Sequence, residues 1–171
     1  MHPGQRTILF VCLGNICRSP MAEGLLKLKL AERGLAERYR VRSAGIIAGR
    51  DHVAPLEAVR AAAELAVDLA GHLSTPLTAA LLRESDLVVA MDRMNAEHIL
   101  NLVPELAPRL RLLNQLAAGA RSFDVPDPIG CPIEVYRESY RQIAAGVEGL
   151  VATLAAEGTG PRSEAGTPHA S

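Results

Sequence analysis

The chain has 171 residues, 19 acidic against 18 basic side chains, a formal net charge of −1 and 49 % hydrophobic residues. That length suits one domain with a substantial core, and a near-neutral balance without a basic cluster argues against nucleic acid as a partner. No apolar run reaches bilayer-spanning length and no signal peptide is expected ahead of the first strand, so no membrane partner is expected.

With no Trp, two Phe and three Tyr, the core must be built from Leu, Val, Ile and Ala. Residues 7–11 read as a strand. Residues 21–33 read as an amphipathic helix with Met21, Leu25 and Leu28 on one face and Ala31 at its edge; Gly34 is a natural stop. A second strand covers 39–44 and ends at Gly45. A Gly-, Asp- and Pro-bearing loop follows to Pro55. Residues 56–69 form an alanine-rich helical stretch, and 71–76 a turn. A short helix is expected over 77–83, with Ser74 or Thr75 as its cap. Residues 86–90 are a continuous apolar strand of the kind found in buried parallel sheets. Asp92 then caps a helix over 92–103, a short fourth strand covers 109–113, and a last long helix covers 132–156. Strands alternating with helices predict an α/β fold with a parallel sheet covered on both faces, a three-layer arrangement. Residues 1–157 are expected to form one domain. Residues 158–171 lack periodicity and are expected to be a disordered tail.

The most informative stretch is Val11-Cys12-Leu13-Gly14-Asn15-Ile16-Cys17-Arg18-Ser19-Pro20. A strand ends at a cysteine, and a helix opens at Ser19-Pro20, where Pro suits a first turn. The thiolate is the nucleophilic form of cysteine, and nearby cations and helix N-termini favour it. Gly14 and Asn15 are the residue types that most easily take positive φ, so the loop can turn its N–H groups inward as an anion nest. Arg18 adds a planar fork that binds two phosphate oxygens at once, and Ser19 can donate a hydrogen bond to Cys12. Residues 13–19 thus read as a phosphate-binding loop with Cys12 at its floor. Metal ligation is the bland alternative for the two nearby cysteines, but no second Cys/His pair lies at zinc-like spacing. Neither a metal nor a cofactor is expected. Three cysteines, two of them in this loop, suit a reducing compartment, so the protein is expected in the cytoplasm.

The signature V-C-L-G-N-I-C-R-S-P-M-A-E resembles that of the low-molecular-weight protein tyrosine phosphatases, over a stretch running from about Thr7 to about Leu154. The resemblance implies a central four-stranded parallel sheet flanked by helices, with the loop at the carboxyl end of the first strand. That is where ligands bind in open α/β sheets. It implies a protein phosphatase working through a phosphocysteine, with a phosphorylated protein as substrate and inorganic phosphate or another oxyanion as loop ligand. Asp127, between Pro126 and Pro128, would by itself be an ordinary turn aspartate; the family carries its general acid in a late Asp-Pro. Cys12, Arg18 and Asp127 are therefore the expected catalytic residues. The resemblance also implies that Asn15 is held by Ser19, Ser43 and His72.

Three further expectations concern the loop and its walls. Cys17, close to Cys12, can trap an oxidised nucleophile as a disulfide and so protect it. Cys131 carries no expected role. Leu13, Ile16 and Ile129 should wall the substrate pocket. Tyrosine-directed members usually present aromatic residues after the Asp-Pro, where this chain has Ile129-Gly130. The segments 74–78 and 127–130 resemble the bacterial protein-arginine-phosphatase branch, which carries threonine where this chain has Ile16. Ile16 lies in the loop itself, so phosphotyrosine is the expected substrate and phosphoarginine the alternative. An arsenate reductase would need a further cysteine pair in mid-chain. A phosphocysteine carrier would not want a water-activating acid.

Overall fold

The computed structural model describes residues 4–157; the expected tail at 158–171 lies outside the described residues. Four parallel strands form one sheet in the order β2-β1-β3-β4: β1 (Arg6–Cys12), β2 (Tyr39–Gly45), β3 (Leu87–Ala90) and β4 (Leu110–Leu112). Among the described residues the α-helices are α1 (Arg18–Glu32), α2 (Leu56–Ala63), α3 (Ala79–Arg83), α4 (Arg93–Leu102) and α5 (Ile133–Glu157).

β1 explains the layering. Its side chains alternate faces, as a strand's must. Ile8, Phe10 and Cys12 join the core shared with α1, α2 and α5, while Leu9 and Val11 join the core shared with α3 and α4. Both faces of β1 are buried, which accounts for its unbroken apolar run. β1 lies between β2 and β3, so its carboxyl end opens where the chain connections diverge to opposite faces.

Several boundaries differ from the sequence expectation, each for a physical reason. α1 begins at Arg18, which places Arg18 and Ser19 in its first turn. Its buried face is Met21, Ala22, Leu25, Leu26 and Leu30; Leu28 is only partly buried and Ala31 is exposed. The face rotates because α1 packs under both β2 and α5. Burial of its large side chains contributes about 1.5–3 kcal/mol each. Gly34 ends the helix region at φ +65°.

α2 stops at Ala63, well short of the expected helix over 56–69. Ala66 turns left-handed at φ +59°, and the Val67 N–H reaches back to the Ala62 carbonyl at 3.1 Å. This is a Schellman-type ending built on alanine. It turns Val67 and Leu69 into the core, where a Cβ on Gly24 would come within 2.5 Å of Val67 Cγ1. α3 is shorter than expected and is capped by Thr78, whose Oγ1 accepts from the Leu81 N–H at 3.1 Å. Ser74 is not its cap: the Ser74 hydroxyl donates to the Gly49 carbonyl and accepts from the His52 N–H.

Candidate active site

Cys12 ends β1 and is 3 % exposed. Its Sγ lies 3.0 Å from Ser19 Oγ, and the Asn15 N–H donates to it at 3.2 Å. Ser19 reaches Cys12 because the intervening loop closes immediately into α1. Arg18 sits beside Ser19 in that first turn and is equally buried.

The tightest point of the loop is Asn15, fully buried at φ +54°. A non-glycine residue costs about 1–2 kcal/mol there. Its hydrogen bonds offset that cost. Nδ2 donates to Ser19 Oγ and to Ser43 Oγ, both at 2.9 Å; Oδ1 accepts from the Thr75 N–H at 2.7 Å. The Asn15 carbonyl lies 2.7 Å from His72 Nε2. The structure thus brings together Asn15, Ser19, Ser43 and His72. Ser43 donates onward to Glu23 Oε2 at 2.5 Å, and the Ser19 hydroxyl, accepting from Asn15, has the Cys12 sulfur at 3.0 Å and the Ala44 carbonyl at 3.5 Å within reach of its own proton.

Gly14 does not share the left-handed conformation. The glycine the loop depends on is Gly45, which the sequence marked only as a strand stop. Gly45 is the register partner of Cys12, and a Cβ there would meet the Asn15 nitrogen at 2.7 Å and the Gly14 carbonyl carbon at 2.8 Å. Among the described residues, the N–H groups of Leu13, Gly14, Ile16 and Cys17 donate to no protein acceptor. Four such donors beside a sulfur, on the N-terminal side of a 15-residue helix, form a cradle for an anion.

Arg18 is held on three sides. Nη1 donates to Asp92 Oδ2 at 2.7 Å and to the Val125 carbonyl at 3.0 Å, and Nη2 donates to Asp127 Oδ2 at 2.8 Å. Burial opposes its charge, but the fields of Asp127, Cys12 and Asp92 outweigh burial and raise the guanidinium pKa. Asp92 therefore does more than cap α4. Oδ1 accepts from the Asn95 N–H at 2.7 Å, while Oδ2 orients Arg18. The sequence offered a signal for this second contact: Asp92 follows β3, the neighbour of β1, at the same end of the sheet.

Asp127 stands at the rim, its side chain 32 % exposed, with Oδ1 accepting from the Ile129 N–H at 3.2 Å. A cavity of about 250 Å³ opens between these groups. Cys12 and Arg18 line its base, and Leu13, Ile16, Ile47 and Ile129 make aliphatic walls. Ile47, 70 % exposed, was not anticipated from the sequence. A larger hollow of about 410 Å³ lies between residues 117–122 and α5, but its lining carries no cysteine or histidine.

Cys17 is 3 % exposed, and burial pushes its thiol up to about 12, so it is protonated at neutral pH. Its Sγ faces the Tyr136 hydroxyl at 4.0 Å, and the Tyr140 hydroxyl donates to the Cys17 carbonyl at 3.2 Å. The two tyrosine rings meet edge to face at 6.3 Å. Cys131 is a partly buried free thiol whose backbone N–H closes a turn onto Pro128.

A thiol at a strand end, ringed by unpaired amides and a guanidinium with a carboxylate at the rim, is an arrangement chemically suited to a cysteine nucleophile acting on tetrahedral oxyanions. Comparison with known proteins narrows this class. Residues 7–159 match the family model of the low molecular weight phosphotyrosine protein phosphatases. A protein-arginine-phosphatase of Bacillus subtilis is 38 % identical over 132 residues, covering 77 % of this chain and 85 % of the relative. The low molecular weight protein-tyrosine-phosphatase Etp of Escherichia coli is 35 % identical over 122 residues, covering 71 % and 76 %. Among solved structures, the arginine phosphatase YwlE of Bacillus subtilis, as a cysteine-to-serine mutant with its active-site serine phosphorylated, superposes with a TM-score of 0.79. It is 34 % identical, covering 87 % of this chain and 95 % of that one. The chain belongs to the low-molecular-weight phosphotyrosine protein phosphatase family, and it is a protein phosphatase. Among the described residues, no helix is long and apolar enough to cross a membrane.

Proposed function

We propose that this protein hydrolyses phosphotyrosine in protein substrates, with Cys12 as nucleophile, Arg18 as oxyanion clamp and Asp127 as general acid. The Cys12 thiolate attacks phosphorus in line as the bond to the phenol oxygen breaks, and Asp127 delivers the proton that oxygen needs. The Arg18–Asp127 pair parts as the phosphoryl oxygens take Arg18 and the unpaired amides of the loop, and the freed Asp127 carboxylate takes up from solvent the proton it then delivers. Asp127, now a carboxylate, takes a proton from water, which attacks the phosphocysteine, releases inorganic phosphate and regenerates the thiolate. Electrostatic preorganisation supplies most of the rate, because the donors are fixed before charge develops. Ser19 donates to the sulfur, and the Asn15, Ser43 and His72 contacts hold the loop in the binding shape. Cys17 acts in protection: it condenses with a peroxide-oxidised Cys12 sulfenic acid, releasing water and forming a disulfide that cellular thiols reduce. The nucleophilic thiol suits a reducing cytoplasm.

The observation that carries the substrate choice is the wall made by Leu13, Ile16, Ile47 and Ile129. A phenol ring gains from contact with aliphatic side chains. A phosphoarginine guanidinium is cationic and polar, and against four aliphatic walls that lining offers it a single carboxylate, Asp127. The similarity to the Bacillus subtilis protein-arginine-phosphatase supports phosphoarginine as the second reading. Parallel kcat/KM measurements on phosphotyrosine and phosphoarginine peptides decide between them. The expected result is preference for phosphotyrosine, narrowed by Ile16→Thr; preference for phosphoarginine in the native chain overturns the choice.

A further inference from the structure

One face of α5 touches both halves of the site. Tyr136, Ser139 and Tyr140 stand at i, i+3 and i+4, so they share a helix face, and all three are buried. Tyr140 and Tyr136 contact Cys17 in the phosphate-binding loop. Ser139 contacts the other half: its Oγ donates to the Pro126 carbonyl at 3.0 Å, the residue before Asp127. A serine inside a helix ordinarily bonds back onto its own preceding turn. Ser139 instead spends its one proton across the interface.

The segment leading to Asp127 is anchored residue by residue. The Asp124 carboxylate takes the Arg93 guanidinium and N–H, and the Asp124 carbonyl accepts from Asn114 Nδ2 at 3.2 Å. The Val125 N–H donates to the Met91 carbonyl at 2.8 Å, and the Val125 carbonyl accepts from Arg18. The Pro126 carbonyl accepts from Ser139. Beyond Asp127 lie two local turns, Ile129 to Asp127 and Cys131 to Pro128, and, three residues along, a contact between the Gly130 backbone and the Tyr136 hydroxyl. Among the described residues, Arg18 alone ties the Asp127 side chain to the rest of the site. That tie must part when Arg18 turns to a phosphoryl group, and the Ser139–Pro126 bond is then the nearest tertiary anchor left.

We infer that Ser139 is a positioning residue for Asp127, holding the carboxyl over the leaving group once Arg18 has released it. This rests on the reading of Asp127 as the acid. Proline on both sides of Asp127 makes such an anchor effective, because a fixed φ passes the position of the Pro126 carbonyl on to the next residue.

The test uses the full chain and kcat/KM for aryl phosphates whose phenols differ in acidity, from p-nitrophenyl to phenyl phosphate. This ratio reports the step in which the phenol leaves. Asp127→Ala should lose far more on phenyl phosphate than on p-nitrophenyl phosphate. Ser139→Ala should show the same selectivity in weaker form: about 10-fold on phenyl phosphate, part of the full worth of a general acid, and less than about 2-fold on p-nitrophenyl phosphate. Inhibition by inorganic phosphate should be unchanged, and Ser139→Thr, which keeps the hydroxyl, should restore the loss. Alanine suits a helix interior, so α5 should persist; if Ser139→Ala fails to fold, Ser139→Cys, of similar size and a weak donor, takes its place with the same expectation. Equal losses on both esters, or none, overturn the role of Ser139. A flat response in Asp127→Ala instead overturns the acid reading beneath it.

Discussion

Gly45→Ala should damage both stability and turnover, and the size of the effect can be worked from geometry. A Cβ at Gly45 would lie 2.7 Å from the Asn15 nitrogen, 2.8 Å from the Gly14 carbonyl carbon and 2.8 Å from Ala48 Cβ. Comfortable contact begins at about 3.5 Å, so something must retreat by roughly 0.7–0.8 Å. β2 cannot give way. Gly45 is in register with Cys12 on one side, and on the other its N–H and carbonyl bond to the Thr75 carbonyl and the Leu77 N–H at 2.9 and 2.8 Å. The phosphate-binding loop must move instead, against the bonds that hold Asn15. Overpacking costs about 1–3 kcal/mol, and two backbone obstacles put this site at the upper end. In a chain of this length, about 3 kcal/mol corresponds to a fall in Tm of roughly 6–12 °C. A shift approaching 1 Å in oxyanion donors should cost on the order of 100-fold in kcat/KM. Thermal melts read the first effect, and p-nitrophenyl phosphate kinetics with phosphate inhibition read the second. Gly71→Ala is the matched control, because a Cβ there meets nothing within 4 Å. A Gly45→Ala protein that melts and turns over like the native chain would refute the reasoning.

Cys17→Ser tests two separate properties. Burial raises the Cys17 thiol from 9.0 to about 12, so between those values the folded state keeps a proton that the unfolded chain releases. Stability from this group is full below about pH 9 and falls with rising pH by up to about 1.4 kcal/mol per unit; urea titrations should show a shallower alkaline decline in Cys17→Ser. Peroxide inactivation, reversible by thiols in the native protein, should become irreversible in the same variant, and equal recovery in both would remove Cys17 from the protective role. Thr78→Ala deletes the α3 cap and should cost about 1 kcal/mol by denaturant unfolding, without change in kcat.

Much of the fold was legible because β1 and β3 are unbroken apolar runs, and a strand buried on both faces leaves that mark in sequence. α2 was overextended because alanine-rich sequence keeps its helix propensity past the point where tertiary packing ends the helix. Ala66 turns left-handed there so that Val67 can fill the space above Gly24. Nothing in Glu64-Leu65-Ala66 announces that turn. In the site, Cys12, Arg18 and Ser19 stood out because their roles are local, set by a loop closing onto a helix. The positions of Gly45, Asp92, Ile47 and Ser139 depend on strand neighbours and a distant helix, and spacing along the chain does not encode them. Gly14 was the opposite case: a residue permitted a conformation that its neighbour Asn15 adopts instead.

The chain contains no tryptophan and three tyrosines, two of which are the edge-to-face pair beside Cys17. Its tyrosine emission therefore comes largely from a buried pair packed behind the phosphate-binding loop. A change in the chemistry of the Cys17 sulfur, 4.0 Å from the Tyr136 hydroxyl, should register as a change in tyrosine emission without any attached dye.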